Sequence, residues 1–262
     1  MSPTTSPDFL HVSQLSMTFR GADGRLEALQ EINFDMGNQE FLCVLGPSGS
    51  GKSTLLRLIA GLLQPSSGSI TFHGKQSSPR IGLVFQQANL MPWRSVRENV
   101  ALPLELRGLP KGEIERRVED MLELVGLTEF GGSWPAELSG GMAQRVAIGR
   151  AFIQEPDLLL LDEPFGSLDA LTREKMGSEL LRLWQAQRTA VLMVTHSISE
   201  ALLLSDRVLV FSPRPGQILQ DIPVTFTRPR REELRYSTAF QQMEQTLRGS
   251  IQLDSVSTGN LK

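Results

Sequence analysis

Eight consecutive residues have the types and the order needed to hold phosphate groups. They are Gly46, Pro47, Ser48, Gly49, Ser50, Gly51, Lys52 and Ser53. They fit the pattern G-x-x-x-x-G-K-[ST] directly after a strand-like stretch and before a helical one. Glycines let successive N–H groups point inward, and the helix presents its positive N-terminus to an anion. We expect Lys52 to reach the β- and γ-phosphates and Ser53 to ligate Mg²⁺; the alternative is an ordinary Gly/Ser turn.

Two carboxylates directly follow a second apolar strand, Leu158–Leu161. They are Asp162 and Glu163, and ligands bind at the carboxyl ends of the strands in parallel sheets. We expect Asp162 to hold Mg²⁺ through water and Glu163 to be the general base that polarises the attacking water. Taken alone, the pair is equally typical of an acidic N-cap of the next helix. Beside the phosphate loop, the chemical role is favoured.

A third segment, Leu138-Ser139-Gly140-Gly141-Met142, precedes a stretch with helical spacing. Two glycines after Ser139 leave backbone N–H groups exposed at the start of that helix. This arrangement predicts a second anion-binding helix N-terminus in the same chain. A simple turn or a helix C-cap also uses Gly-Gly, so the segment has little weight by itself.

Apolar strands alternate with helices over most of the chain, which predicts an α/β fold with a mostly parallel sheet covered on both faces. Two strands around a turn at residues 21–24 predict an antiparallel part at the N-terminus. The expected strands are His11–Phe19, Leu26–Phe34, Glu40–Leu45, Ile70–His73, Gly82–Phe85, Leu158–Leu161, Ala190–Val194, Arg207–Phe211 and Gln217–Val224. The expected helices begin near Gly51 and cover Leu171–Gln187 and Ser199–Leu204.

Residues Ser95 to Gln154 differ from the rest because almost all of them are predicted to be helical. Apolar residues recur there with helical spacing and charged residues lie between them, as in an amphipathic helix. Examples are Val118, Met121, Leu122 and Val125. The α/β core is therefore expected to be interrupted by a helical insertion.

The composition limits the class of protein. With 262 residues, 40% hydrophobic and 21% charged, the chain is neither mostly disordered nor a coiled coil. A net charge of -3 gives no global basic field, so no nucleic-acid partner is expected. No signal peptide is recognisable, and no stretch approaches the roughly 20 apolar residues of a membrane-spanning helix. We expect Cys43 and Trp184 in the core. His11 and His73 have no partner in the motif pattern, and we expect both at the surface.

Together these motifs resemble those of ABC transporter ATP-binding subunits, from about His11 to Ile222. The phosphate loop GPSGSGKST, which ends at Thr54, the signature LSGGM and the Walker B strand LLLLDEP stand in the family's order. The resemblance implies a P-loop NTPase fold of the RecA-like type. It also implies one cassette over residues 1–227, with a core of about 8–94 and 155–227 and a helical insertion of about 95–154. A short helical tail is expected at 228–262.

The resemblance implies roles for further residues. Gln86, in VFQQ, is expected to contact Mg²⁺ and the attacking water, and His196, in VTHS, the γ-phosphate. Asp169 belongs to the D-loop Ser167-Leu168-Asp169 and is expected at the nucleotide. The family places an aromatic residue, usually Tyr, against adenine; Phe19 is the candidate. Both Phe19 and His196 have an alternative reading as core residues.

The family implies a head-to-tail pair of cassettes, either a homodimer or two different cassettes. Two ATP molecules then lie between the phosphate loop of one copy and Ser139–Gly141 of the other. The residues support this independently. One phosphate site within one chain does not need two anion-binding helix ends, whereas a sandwich of two chains does.

Three classes of function are compatible with a phosphate loop. A P-loop kinase or GTPase does not need LSGGM, and no N-K-x-D motif is present. A soluble, non-transport ABC-type ATPase predicts a tandem cassette or a long coiled coil between the phosphate loop and the signature, for which the stretch is too short. A transporter motor is favoured. It implies separate membrane permease subunits, an indirect link to a solute-binding protein, and a peripheral location on the cytoplasmic face of the inner membrane.

Three phrases, LMPWRSVRENV, PFGSLDALTR and FSPRPGQI, are similar to the nitrate/sulfonate/taurine importer branch, which includes transporters of thiamine precursors. Solute selectivity in such systems lies in other subunits. The segment Leu90, Met91, Pro92 and Trp93 has large apolar side chains in a loop-like context, which favours a partner surface. The alternative is that Met91 and Trp93 pack inside the helical insertion.

Overall fold

A computed structural model describes residues 8–21, 24–73, 79–166, 168–187 and 189–257. Two compact units can be distinguished: Arg80–Thr189 forms one, and the segments before and after it form the other. The turn residues Ala22 and Asp23 and the D-loop residue Ser167 lie outside the described residues.

The first unit combines an antiparallel sheet with a set of mainly parallel strands. Its elements are β1 (Asp8–Gly21), β2 (Gly24–Gly37), β3 (Phe41–Leu45), α1 (Lys52–Ile59), β4 (Ser67–Phe72), β7 (Ala190–Thr195), α6 (Ile198–Leu204), β8 (Arg207–Phe211), β9 (Ile218–Pro223), a 3-10 turn (Glu232–Tyr236) and α7 (Thr238–Ser257). The antiparallel sheet has the order β2-β1-β4. In the other set, β3 pairs in parallel with β7 and β8, and β9 joins β8 antiparallel.

Burial explains these two kinds of pairing. All residues of β3 and β7 are buried, as expected for parallel strands covered on both faces. In β2, buried and exposed residues alternate from Ile32 to Met36, so one face of the antiparallel sheet packs inward and the other meets solvent.

The second unit is mainly helical. Its elements are β5 (Ile81–Val84), α2 (Val96–Leu106), α3 (Lys111–Leu124), two 3-10 turns (Thr128–Phe130 and Pro135–Glu137), α4 (Gly140–Phe152), β6 (Leu158–Asp162) and α5 (Ala170–Gln187). Strand β5 pairs in parallel with β6. Helix α2 begins with a capping box, in which Ser95 and Glu98 satisfy each other's backbone N–H. The predicted helical insertion, 95–154, falls inside this unit.

The predicted elements are confirmed, with ends that differ by a few residues. The largest differences are the longer β1 and β2, and β4, which begins at Ser67 and not at Ile70. The tail forms α7, and within the described residues no helix combines the length and apolarity needed to span a membrane.

Four single-residue predictions can also be compared with the structure. Cys43 and Trp184 are buried, as expected, and burial raises the pKa of the Cys43 thiol. The exposed position predicted for His73 is confirmed. His11 is half-buried, and its Nδ1 contacts the Asp35 carboxylate on the neighbouring strand β2, a contact that the motif pattern does not predict.

Candidate functional site

The phosphate loop lies between β3 and α1 in the first unit. Gly49 and Gly51 have φ angles of 80° and 90°, in the left-handed region that favours glycine. A Cβ on Gly51 would lie 2.5 Å from the carbonyl oxygen of Ala28 and 2.7 Å from Leu29 Cδ2. Both the curvature of the loop and its closeness to β2 therefore require glycine at position 51.

Helix α1 begins at Lys52 without a capping side chain and without an acidic residue in its first turn. The Lys52 side chain is buried, and its Nζ donates to the carbonyl oxygens of Gly46 at 2.9 Å and Pro47 at 2.8 Å. The buried Ser50 hydroxyl has no hydrogen-bond partner among the described residues. A cation beside an uncapped helix N-terminus suits an anion, so these residues fit the phosphates of a nucleotide.

His196 lies between β7 and α6 and is exposed, so the core reading of this residue is wrong. Its neighbours are held by buried and part-buried hydrogen bonds. Thr195 Oγ1 donates to Glu200 at 2.7 Å and accepts from the N–H of Ser197 at 3.0 Å. The Ser197 hydroxyl caps α6 by accepting from the N–H of Glu200. These contacts fix the turn that presents the imidazole.

Phe19 lies near the end of β1 and is 36% exposed. Its cross-strand partner Leu26 is also exposed, so the two side chains form an apolar pair on the antiparallel sheet. The core reading of Phe19 is therefore wrong. An exposed aromatic face is what stacking on a nucleobase requires.

Asp162 and Glu163 close β6 in the second unit. Asp162 is buried and Glu163 is half-buried, with a φ of 44°. Such a φ is uncommon for a residue other than glycine and concentrates at functional sites. Helix α5 begins only at Ala170, so the alternative of an acidic N-cap is wrong for both carboxylates.

Gln86 and Glu163 approach the same point in the second unit. A Cβ on Gly166 would lie 3.5 Å from Gln86 Nε2 and 3.6 Å from Glu163 Oε2. The N–H of Gly166 also donates to the carbonyl oxygen of Glu163 at 3.0 Å. The Gln86 amide and the Glu163 carboxylate thus both lie beside Gly166, in the turn after the Walker B strand.

The signature residues form the N-terminus of α4. Ser139 is the N-cap and its hydroxyl accepts from the N–H of Met142 at 3.3 Å, so the reading as a C-cap is wrong. Ser139 and Gly140 are exposed, whereas Gly141 is buried and a Cβ there would lie 2.8 Å from Thr172 Cγ2.

The exposed Asp169 precedes α5, and its Oδ1 accepts from the Thr172 N–H at 3.0 Å. Hydrogen bonds from the Thr172 side chain and backbone hold the pKa of Asp169 below its ordinary value. Because Thr172 also lies beside Gly141, the signature and the D-loop aspartate meet at the first turn of α5.

Two residues to which the sequence analysis gave no role hold the segment after Gln86. The buried Asn99 of α2 accepts from the Met91 N–H at 2.8 Å and donates to the carbonyls of Met91, Arg94 and Ser95. Arg150 of α4 donates to the carbonyls of Ala88 and Asn89. Its burial lowers the pKa of the Arg150 guanidinium. Asn99 could have been noticed as a polar residue on the apolar face of α2.

The side chains of this segment are not all in the same environment. Trp93 is 70% exposed, so the reading that it packs internally is wrong. Leu90 and Met91 are half-buried. The backbone is held from inside while Trp93 faces solvent, which suits a contact with another protein.

Comparison with known proteins identifies the family. The family described as ABC transporter matches residues 29–166, more than half of the chain. The chain belongs to the ABC transporter family. Over 251 residues it is 44% identical to the taurine import ATP-binding protein TauB of Rhizobium johnstonii, covering 92% of this chain and 96% of that protein. It is 43% identical to the nitrate import ATP-binding protein NrtD of Synechococcus elongatus, covering 88% of this chain and 86% of that protein.

Solved structures show the same relationship. The cassette MJ0796, solved as a dimer in a post-hydrolysis state bound to ADP and Pi, superposes with a TM-score of 0.74 at 30% identity. The match covers 83% of this chain and 100% of that one. The predicted α/β fold and the predicted family are thereby confirmed. The present chain is an ATP hydrolase, the motor subunit of an ABC transporter.

Proposed function

We propose that residues Gly46 to Thr54 bind the phosphates of ATP and that Lys52 neutralises their charge. The observation that carries this proposal is the uncapped N-terminus of α1, entered through two left-handed glycines and flanked by the buried ammonium of Lys52. The phosphates then replace the missing cap, and the exposed ring of Phe19 stacks on adenine.

Mg²⁺ is proposed to be held by Ser53, Gln86 and Asp162. Among the described residues no group of three or more His, Cys, Asp or Glu side chains is suited to a metal. In proteins Mg²⁺ keeps several waters and takes its remaining ligands from one or two carboxylates and the substrate phosphates. The buried Asp162 carboxylate and the Ser53 hydroxyl supply suitable oxygen donors. When bound, the ion neutralises charge on the transferred phosphoryl group.

The hydrolytic roles follow from position and chemistry. Glu163 is proposed as the general base that orients the attacking water and accepts its proton, with Gln86 beside it as a second contact to that water. His196 is proposed to donate a hydrogen bond to the γ-phosphate from the turn after β7. Hydrogen bonds hold the turn that presents His196, and another holds the turn that follows Glu163, which lowers the entropic cost of orienting each group.

The signature residues Ser139, Gly140 and Gly141 are proposed to bind the nucleotide of a second cassette. Ser139 and Gly140 are exposed at the N-terminus of α4, and Asp169 is exposed beside them. A second helix N-terminus of this kind has no ligand to serve within one chain that already has a phosphate loop. A head-to-tail pair of cassettes, with two nucleotides between them, gives it one.

We further propose that the cassette drives an importer. Relatives named as taurine and nitrate import proteins favour a small solute of that kind. A thiamine precursor is the alternative that the resemblance to this importer branch implies. The exposed Trp93, with Leu90, Met91 and Pro92, is proposed to contact a separate permease subunit. The cassette then acts at the cytoplasmic face of the inner membrane as a peripheral subunit, and a solute-binding protein interacts with it only indirectly.

Subunit complementation tests the shared site. Lys52→Ala and Ser139→Arg chains are purified separately, each with low ATPase activity expected, and are then mixed. The mixed dimer contains one site with both defects and one intact site. Partial recovery of hydrolysis supports the sandwich. The control is the Lys52→Ala/Ser139→Arg double variant, whose dimer has both defects in both sites. Absence of recovery, in a sample where mixed dimers are detected, contradicts the shared site.

A further inference from the structure

The loop between β8 and β9, residues 212–217, packs against the phosphate loop; we call it the brace. Its residue Arg214 is exposed, and Arg214 Nε donates to the carbonyl oxygen of Gly49 at 3.1 Å. Arg214 Nη2 lies 3.3 Å from the point that a Cβ on Gly49 would occupy. Arg214, which belongs to the phrase FSPRPGQI and has no role assigned from the sequence, therefore contacts the phosphate loop directly.

Gly216 brings the backbone of the brace to the same place. Its N–H donates to the carbonyl oxygen of Ala28 at 3.0 Å, and its own carbonyl accepts from the N–H of Gln30 at 3.0 Å. Gln217 Nε2 donates to Gln30 Oε1 at 2.7 Å. A Cβ on Gly216 would overlap the carbonyl oxygen of Ser50. The brace is thus anchored on β2, and its approach to the phosphate loop requires glycine.

The peptide unit between Gly49 and Ser50 is held on both sides. Arg214 binds its carbonyl oxygen, and its N–H, which belongs to Ser50, donates to the Pro47 carbonyl at 3.3 Å. The same Pro47 oxygen accepts from Lys52 Nζ at 2.8 Å. Because a peptide unit is planar, a fixed carbonyl also fixes the direction of the N–H. Arg214 is therefore connected to Lys52 through the Gly49–Ser50 peptide unit and the Pro47 carbonyl oxygen.

We propose that Arg214 is a positioning residue for nucleotide binding. It acts through the Gly49 carbonyl and keeps the phosphate loop in the conformation that receives ATP; it makes no contact with the nucleotide. This inference rests on the proposed role of the phosphate loop. Without the hydrogen bond, only a fraction of the molecules present the competent loop. The apparent affinity is then the intrinsic affinity multiplied by that fraction. Turnover of bound ATP is unaffected.

The test compares Arg214→Gln with Arg214→Met in the full chain. Glutamine places Nε2 the same number of bonds from Cα as arginine Nε, so it keeps the donor and loses the charge. Methionine has a similar length and neither property. We expect Arg214→Met to raise the Kd for AMP-PNP and the KM for ATP roughly 5-fold, which corresponds to one hydrogen bond of about 1 kcal/mol. We expect kcat to stay within about twofold, and Arg214→Gln to recover most of the lost affinity.

Arg248→Met, on the exposed side of α7, is the matched control and should leave Kd and KM unchanged. Equal losses in the Gln and Met variants would overturn the inference, because the charge or a direct contact with nucleotide would then be responsible. A fall in kcat at constant KM would overturn it as well. A wild-type chain that fails to bind AMP-PNP would refute the proposed function together with this inference, whereas normal wild-type binding with equal losses refutes the inference alone.

Gly216→Ala perturbs the brace without removing the guanidinium. The added methyl group pushes the brace away from Ser50, so we expect a rise in the Kd for AMP-PNP similar to that of Arg214→Met. Gly249→Ala is its control, because a Cβ on Gly249 meets open space. An unchanged Kd in a folded Gly216→Ala chain would contradict the role of the brace.

Discussion

Asn99 offers the sharpest test of how the segment after Gln86 is held. It is fully buried in α2 and serves four backbone groups of residues 91–95. Asn99→Ala removes all of these bonds. Asn99→Asp keeps the acceptor for the Met91 N–H but replaces the Nδ2 donor with an oxygen. That oxygen would face three carbonyl oxygens, of Met91, Arg94 and Ser95, to which Nδ2 now donates at 2.9 to 3.2 Å.

The size of each effect follows from these contacts. Asn99 accepts one hydrogen bond, and the two hydrogens of its amide are shared among the three carbonyls, so its bonds count as about three. At about 1 kcal/mol each, Asn99→Ala should lower the free energy of unfolding by about 3 kcal/mol. Asn99→Asp should cost more, about 5 kcal/mol, because it adds an unpaired buried charge. Acidification should reduce the cost of Asn99→Asp, because a protonated carboxyl regains one donor.

Urea denaturation followed by tryptophan fluorescence measures these effects in the unit that contains Asn99. The three tryptophans, Trp93, Trp134 and Trp184, all belong to the same unit as Asn99. Gln185→Ala, at an exposed position of α5 in the same unit, is the control and should change the free energy of unfolding by less than about 0.5 kcal/mol. An Asn99→Asp chain as stable as Asn99→Ala at pH 7 would refute this account of the contacts.

Three further predictions concern turnover, docking and pH. Glu163→Gln should bind ATP and accumulate an ATP-bound dimer, seen by size exclusion, but lose most hydrolysis; hydrolysis at the wild-type rate would exclude Glu163 as the base. Trp93→Ala should leave the melting temperature of the isolated chain unchanged and weaken capture of the permease. Trp184 is buried and donates to the Thr189 carbonyl, so Trp184→Ala should lower the free energy of unfolding by about 3–5 kcal/mol. Asp169→Ala should lower the melting temperature at pH 7, because the ionised carboxylate caps α5. Since the folded-state pKa of Asp169 is lowered, that difference should persist down to its ordinary value of 3.8 and disappear as the pH falls further; a difference independent of pH would contradict the cap.

Local sequence patterns were sufficient to predict the helices, the strands and the motifs. The wholly buried strands β3, β6 and β7 are short apolar runs in the sequence, and the phosphate loop is contiguous, so its chemistry follows from neighbouring residues alone. Ends of elements were less predictable. β1 and β2 extend beyond their apolar cores because cross-strand pairing continues through residues such as Arg20 and Arg25, whose types do not demand a strand.

The alternatives left open by the sequence were decided by burial. Phe19, Trp93 and His196 are residue types that occur both in cores and on surfaces, and their neighbours in the sequence do not distinguish the two. Exposure is a property of the folded surface, and it removed the core reading for all three.

The sequence by itself determined the phosphate loop, the signature and the positions of the strands along the chain, because each depends on residues that are adjacent or regularly spaced. Only the tertiary structure revealed Asn99 and Arg150 beneath the segment after Gln86, and Arg214 on the phosphate loop. Arg214 and Gly49 are far apart in the chain, and a hydrogen bond between a side chain and a distant carbonyl leaves no periodicity in the sequence. Such contacts form only once the strands are packed, which is why the residues that hold the site were found in the fold and the residues that form it were found in the sequence.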